Sequence, residues 1–140
     1  MFDLLLLINI SSSLFMTGLI WFVQIVHYPS FLDINAQDLP LYHKNHIKRT
    51  GYVVIPPMLI ELITSIWLVI AFKTLWDFNI AGLVLVVLIW ISTFILQAPM
   101  HQRLQELAEP RLIKKLVYTN WIRTFLWSFK SLVGLYILLI

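Results

Sequence analysis

The segment Tyr42-His43-Lys44-Asn45-His46 sets two imidazoles three residues apart, a spacing that brings both rings to one face of a helix. Two further histidines stand beside prolines, in His27-Tyr28-Pro29 and in Pro99-Met100-His101. Imidazole is a ligand for iron, copper or zinc, and a pair of imidazoles can be the axial ligands of haem. Glu61 lies inside an apolar run. A carboxylate in that setting must pair, ligate a metal or be protonated, because leaving it charged in hydrocarbon costs several kcal/mol.

The elements that must position these groups are membrane helices. Of the 140 residues, 60% are hydrophobic and 12% charged, and the mean hydropathy is +0.86; a soluble domain carries about 25% charged residues. The chain reads as one integral membrane domain over residues 1–140, an all-α bundle of four transmembrane helices with spans at about 4–26, 53–72, 80–98 and 121–140. Cysteine is absent, so thiolate metal sites, disulfides and cysteine nucleophiles are excluded. The net charge of +3 reports basic cytoplasmic loops rather than nucleic-acid binding, for which no soluble basic module exists.

In the first span, Asn9, Ser13, Thr17, Gln24 and His27 recur at about helical spacing and form a stripe facing protein. Ser13 and Thr17 read as small packing residues, whereas Gln24 and His27 read as site residues. No cleavage site for a leader follows, so the span is expected to be retained. Pro29 should end or bend the helix near Tyr28. From Asp38 a short interfacial helix is expected, capped by Asp38 and stopped by Gly51, with His43 and His46 on one face. Glu61 falls roughly 12 Å below Val53 along the second span.

Thr93, Gln97 and His101 share a face of the third span, loosened by Pro99. Pro110 is the expected start of the last helix, on which Asn120, Arg123, Trp127 and Lys130 share a face. Lys130 lies at a depth similar to that of Glu61, so an ion pair between them competes with a ligand or proton-transfer role for the carboxylate. Of the tryptophans, only Trp127 is a candidate pocket wall; the others read as interface-belt residues.

Lys44, Lys48, Arg49, Arg103, Arg111, Lys114 and Lys115 fall in two loops on one side, against Lys73 alone on the other. The positive-inside rule then makes those loops cytoplasmic and both termini external. All four histidines fall at the cytoplasmic end, with Glu61, Gln97, Asn120 and Arg123 at or below it. A polar pocket open to that interface is the central expectation. Individually, interface histidines are ordinarily amphipathic residues tolerated at headgroup level; it is their convergence that argues for a site.

No glycine-rich phosphate loop, nucleophile elbow or His-Glu-x-x-His helix is present. The runs Trp21 to Pro29, Tyr42 to His46, Pro56 to Glu61, Gln97 to His101 and Asn120 to Thr124 resemble those of small four-helix bacterial integral membrane proteins. That likeness covers nearly the whole chain and implies a bacterial inner membrane but no particular activity. In size and span count alone the chain is similar to anthrone oxygenase-like proteins and to four-helix membrane protoporphyrinogen oxidases. The first resemblance implies oxygenation of an aromatic substrate, the second a haem-linked oxidoreductase.

The expected function is an oxidoreductase of the lipid bilayer acting on a lipophilic small molecule. Its transition metal or haem would be held by some of His27, His43, His46 and His101, with Glu61 as ligand or proton-transfer group. Gln24, Gln97, Asn120 and Arg123 would orient ligands or an anionic substrate group. The alternatives are a non-enzymatic haem or metal carrier, a small subunit of a membrane complex, or a proton-coupled transporter acting as a homo-oligomer.

Overall fold

The computed structural model describes residues 1–139; Ile140, the expected last residue of the fourth span, lies outside them. The described residues form α1 (Phe2–Phe22), α2 (Leu39–Ala71), α3 (Trp76–Ser92), α4 (Ala98–Leu104) and α5 (Pro110–Leu139), with no strand among them. A π turn at Val23–His27 and a 3-10 turn at Pro29–Asp33 extend α1, and a π turn at Thr93–Gln97 joins α3 to α4. Four continuous segments result, Phe2–Asp33, Leu39–Ala71, Trp76–Leu104 and Pro110–Leu139, each long and apolar enough to cross a membrane.

α1 packs on α2 and α5, and α3 packs on the same two helices, so the four form a ring around a common interior. Its polarity is inverted relative to a soluble domain. Leu4, Phe15, Ile63, Ile70, Phe125 and Leu132 are exposed, while Asn9, Gln24, Glu61, Asn120, Arg123 and Lys130 are buried. Lipid is as apolar as the outward side chains and gives them no reason to hide, so interior polar contacts and close packing hold the helices together. This is an all-α four-helix membrane bundle.

The segment expected as a separate interfacial helix is instead the first turns of α2, which runs 33 residues without a break. Gly51 does not stop it. A glycine ends a helix by adopting a left-handed conformation, and no glycine here has a positive φ. Pro56 and Pro57 lie inside α2, where each withholds one backbone donor from the preceding turn. The effect is to hang His43 and His46 on the same rigid rod as Glu61.

Candidate functional site

Prolines shape the two histidine-bearing bends. Pro29 and Pro99 each lack an N–H, and each follows a π turn. In the first, the Tyr28 N–H bonds the Val23 carbonyl at 2.9 Å, a five-residue step; in the second, the Ala98 N–H reaches the Thr93 carbonyl. One extra residue in a turn rotates the next part of the helix by about 100°. That rotation carries Tyr28, off the polar stripe of α1, into the interior, where it is buried.

The four imidazoles lie together at one end of the bundle. His27 Nε2 and His46 Nδ1 are 3.0 Å apart, and His43 Nε2 and His101 Nδ1 are 2.9 Å apart. The rings of His43 and His46 are 5.6 Å apart on one face of α2, as their spacing predicts. Phe31, fully buried, packs edge-on to His27, His43 and His46. A hydrogen bond between two imidazoles requires one ring nitrogen to accept, so neither pair can be doubly protonated on both rings.

One of these pairs belongs to a longer chain. Arg123 donates through Nη2 to the Tyr28 hydroxyl at 3.1 Å, and that hydroxyl lies 2.8 Å from His101 Nε2. Tyr28 has one proton and one remaining partner, so it donates to His101. His101 must then carry its own proton on Nδ1 and donate it to His43 Nε2. His43 in turn holds its proton on Nδ1, a buried atom with no partner. The order Arg123, Tyr28, His101, His43 is thus a directed chain of hydrogen bonds.

Behind Arg123, Asn120 Oδ1 accepts from its Nε at 3.0 Å and also from Nη2. Asn120 Nδ2 donates to Gln24 Oε1 at 2.9 Å, and Gln24 Nε2 donates to the Val117 carbonyl at 3.0 Å. Gln24, Asn120 and Arg123 are therefore one bonded set. Gln97 is also buried; its Oε1 accepts from Ser92 at 3.2 Å.

Glu61 does not join the imidazoles. Its Oε1 lies 3.1 Å from Lys130 Nζ and accepts from Ser13 at 2.6 Å, while its Oε2 accepts from Trp127 Nε1 at 3.0 Å. Lys130 also donates to Asn9 Oδ1 at 2.9 Å and to Ser13 Oγ at 2.6 Å. Each charge is satisfied within the protein, which is the paired alternative weighed for the carboxylate. Ser13, read in sequence as packing, is a hydrogen-bond partner of both ions.

Between these two networks lies a cavity of about 600 Å³ lined from all four spans, within the size range of sites for drug-sized molecules. Met16, Ile20, Met58, Trp90, Phe94 and Trp127 give it an apolar body. Tyr28, His46, Gln97, His101 and Arg123 give it one polar wall. Ile55 and Phe94 line the cavity and are also exposed, so it reaches the lipid-facing surface between α2 and the third span. Trp127 is the partition: one side faces the cavity and its N–H holds Glu61.

Two imidazole nitrogens on a tetrahedral ion at about 2.0 Å lie about 3.3 Å apart. The two pairs here are close to that separation. As the side chains stand, no group of three or more His, Cys, Asp or Glu among the described residues is arranged to hold a metal ion. Comparison with protein-family models, curated proteins and solved structures gave no match to the chain.

The residues that spacing alone missed are Tyr28, Phe31 and Thr50, whose Oγ1 lies 3.0 Å from His46 Nδ1, and Trp90, expected in the interface belt, lines the cavity beside Trp127 instead. Thr50 was findable, being four residues after His46 on the same helix. Tyr28 was not, because its inward turn depends on the π step.

Proposed function

We propose that this chain is a membrane-embedded oxidoreductase acting on a lipophilic molecule held in the interior cavity. The observation that carries this reading is the cavity's composition: an apolar body of drug-like size ends on a wall of tyrosine, imidazole and guanidinium already joined in one hydrogen-bonded chain. Such a wall suits a substrate whose oxygen function gains or loses protons as it is oxidised or reduced. His101 and Tyr28 are the groups placed to exchange those protons, and Arg123 orients the oxygen. Iron, copper or haem on some of His27, His43, His46 and His101 would supply the electron chemistry when bound, whereas zinc there, being redox-inactive, would supply only Lewis-acid polarisation. The basic loops favour an orientation with this wall toward the cytoplasm, and the resemblance to small four-helix bacterial membrane proteins favours a bacterial inner membrane.

The test is an absorption spectrum of the purified protein, oxidised and reduced, with elemental analysis and mass spectrometry of lipophilic molecules extracted from the same sample. A Soret band or near-stoichiometric metal that disappears in His43→Ala and His101→Ala, together with a co-purifying redox-active lipophile, is the expected result. A folded protein without colour, metal or any lipophile at its cavity would overturn the proposal.

A further inference from the structure

Arg123 and Lys130 are two buried cations on one face of α5, and the protein treats them differently. Lys130 has a carboxylate, Glu61, at 3.1 Å. Arg123, only 6% exposed, has no carboxylate within ion-pair distance among the described residues: its partners are the amide oxygen of Asn120 and the hydroxyl of Tyr28. A guanidinium stays charged at any accessible pH, and a buried charge without an opposite charge is costly.

The second observation is independent of the first. Arg123 lines the cavity, as do His46 and His101, and no Asp or Glu lines it. The uncompensated cation therefore sits where a ligand would be. Gln97, on the same wall, has an amide N–H₂ whose partner is Thr119 Oγ1 at a long 3.4 Å, so it remains able to donate. The remaining polar lining, Thr50, Thr93, Gln102 and Gln105, is uncharged, and the rest is apolar.

Resting on the reading of this cavity as the ligand site, we infer that its ligand is a lipophilic oxyanion, a carboxylate or an ionised phenol or enol on an apolar body, with Arg123 as counter-charge. The anion accepts from the guanidinium and from Gln97, and the body lies against Met58, Trp90 and Trp127. Entry is from the bilayer, past Ile55 and Phe94. Charge-assisted hydrogen bonds of this kind are worth about 1.5–3 kcal/mol, roughly tenfold to hundredfold in affinity.

The experiment places the full chain in nanodiscs of neutral phosphatidylcholine at alkaline pH and follows quenching of tryptophan fluorescence. The probes are a dibrominated stearate with its methyl ester, and a hydroxynaphthoquinone with its methyl ether. Each pair shares an apolar body and differs in charge. The expected result is that at least one anion binds at least tenfold more tightly than its neutral partner. That preference should vanish in Arg123→Gln and persist in Arg123→Lys. Preference confined to the stearate assigns an acyl carboxylate, and preference confined to the quinone assigns a ring enolate.

Asn120→Asp guards against a variant that fails to fold. It places a carboxylate on Arg123, satisfying the cation internally, and should likewise abolish the preference. Equal binding of anion and neutral partner by the unmodified chain would overturn the inference while leaving a lipophile site intact. No quenching beyond that of lipid-facing tryptophans, measured in a Trp90→Phe, Trp127→Phe control, would overturn the cavity reading itself.

Discussion

Lys130 Nζ and Glu61 Oε1 lie 3.1 Å apart in the interior of the bundle, with 3% and 1% of their side-chain surfaces exposed. From α1, Asn9 Oδ1 accepts from Lys130, and Ser13 bonds both ions. Three helices are therefore tied at one point by groups that cannot be separated without leaving a charge in an apolar medium.

Breaking that point from one side should be far worse than removing it whole. Glu61→Gln leaves the Lys130 ammonium buried without its anion, and loss of one partner of such a pair costs about 3–5 kcal/mol. The double change Glu61→Leu, Lys130→Met removes both charges and should recover most of that loss. Unfolding in mixed micelles, followed by circular dichroism, checks this. A double variant as unstable as the worse single would show that the pair contributes through packing instead.

The hydrogen-bonded chain through Tyr28 fixes two tautomers. His101 and His43 should both be protonated on Nδ1, which histidine-selective nitrogen NMR resolves directly. Tyr28→Phe takes away the donor to His101 Nε2 and an acceptor from Arg123. It should cost about 1–3 kcal/mol and shift the His101 and His43 resonances, leaving those of His27 nearly unmoved. Unchanged His101 resonances would break the assigned direction of the chain.

Whether a residue's place was legible in the sequence depends on how the fold positions it. The face Asn120, Arg123, Trp127, Lys130 and the pair His43, His46 obey regular helical spacing, and both are as expected. The Glu61–Lys130 pairing was readable as matched depth. Tyr28 was hidden because a π turn shifts register in a way spacing does not encode. Gly51 misled because a glycine stops a helix only when its backbone leaves the right-handed region, and here α2 continues through it. Which nitrogen meets which across helices depends on packing and could not be read at all.

Glycine positions separate close packing from open surface. A Cβ on Gly134 would fall 2.8 Å from Ile10 Cγ1, whereas one on Gly18 meets nothing within 4 Å. Gly134→Ala should destabilise the contact of α1 with α5 by about 1–3 kcal/mol through overpacking. Gly18→Ala should be neutral or stabilising by up to about 1 kcal/mol, from helix propensity. In a double-mutant cycle, Ile10→Ala with Gly134→Ala should cost less than the sum of the two single changes, because Ile10→Ala vacates the space the new methyl needs. Strict additivity would mean the helices move apart instead.

Trp127 separates the cavity from the ion pair, so its two roles can be divided by substitution. Trp127→Phe keeps an aromatic wall but leaves Glu61 Oε2 without its 3.0 Å hydrogen bond, a loss of about 1–3 kcal/mol in stability. The cavity remains walled, and binding of a lipophilic probe should change only a few-fold. Trp127→Ala removes the wall as well. It should cost about 3–5 kcal/mol and join the cavity to the polar cluster around Glu61. Probe affinity and unfolding measured on both variants decide the matter: the ion pair is insulated from the ligand only if Phe spares binding while Ala does not. Should Phe weaken binding as much as Ala, the indole N–H and the Glu61 carboxylate would have to be counted as parts of the ligand site.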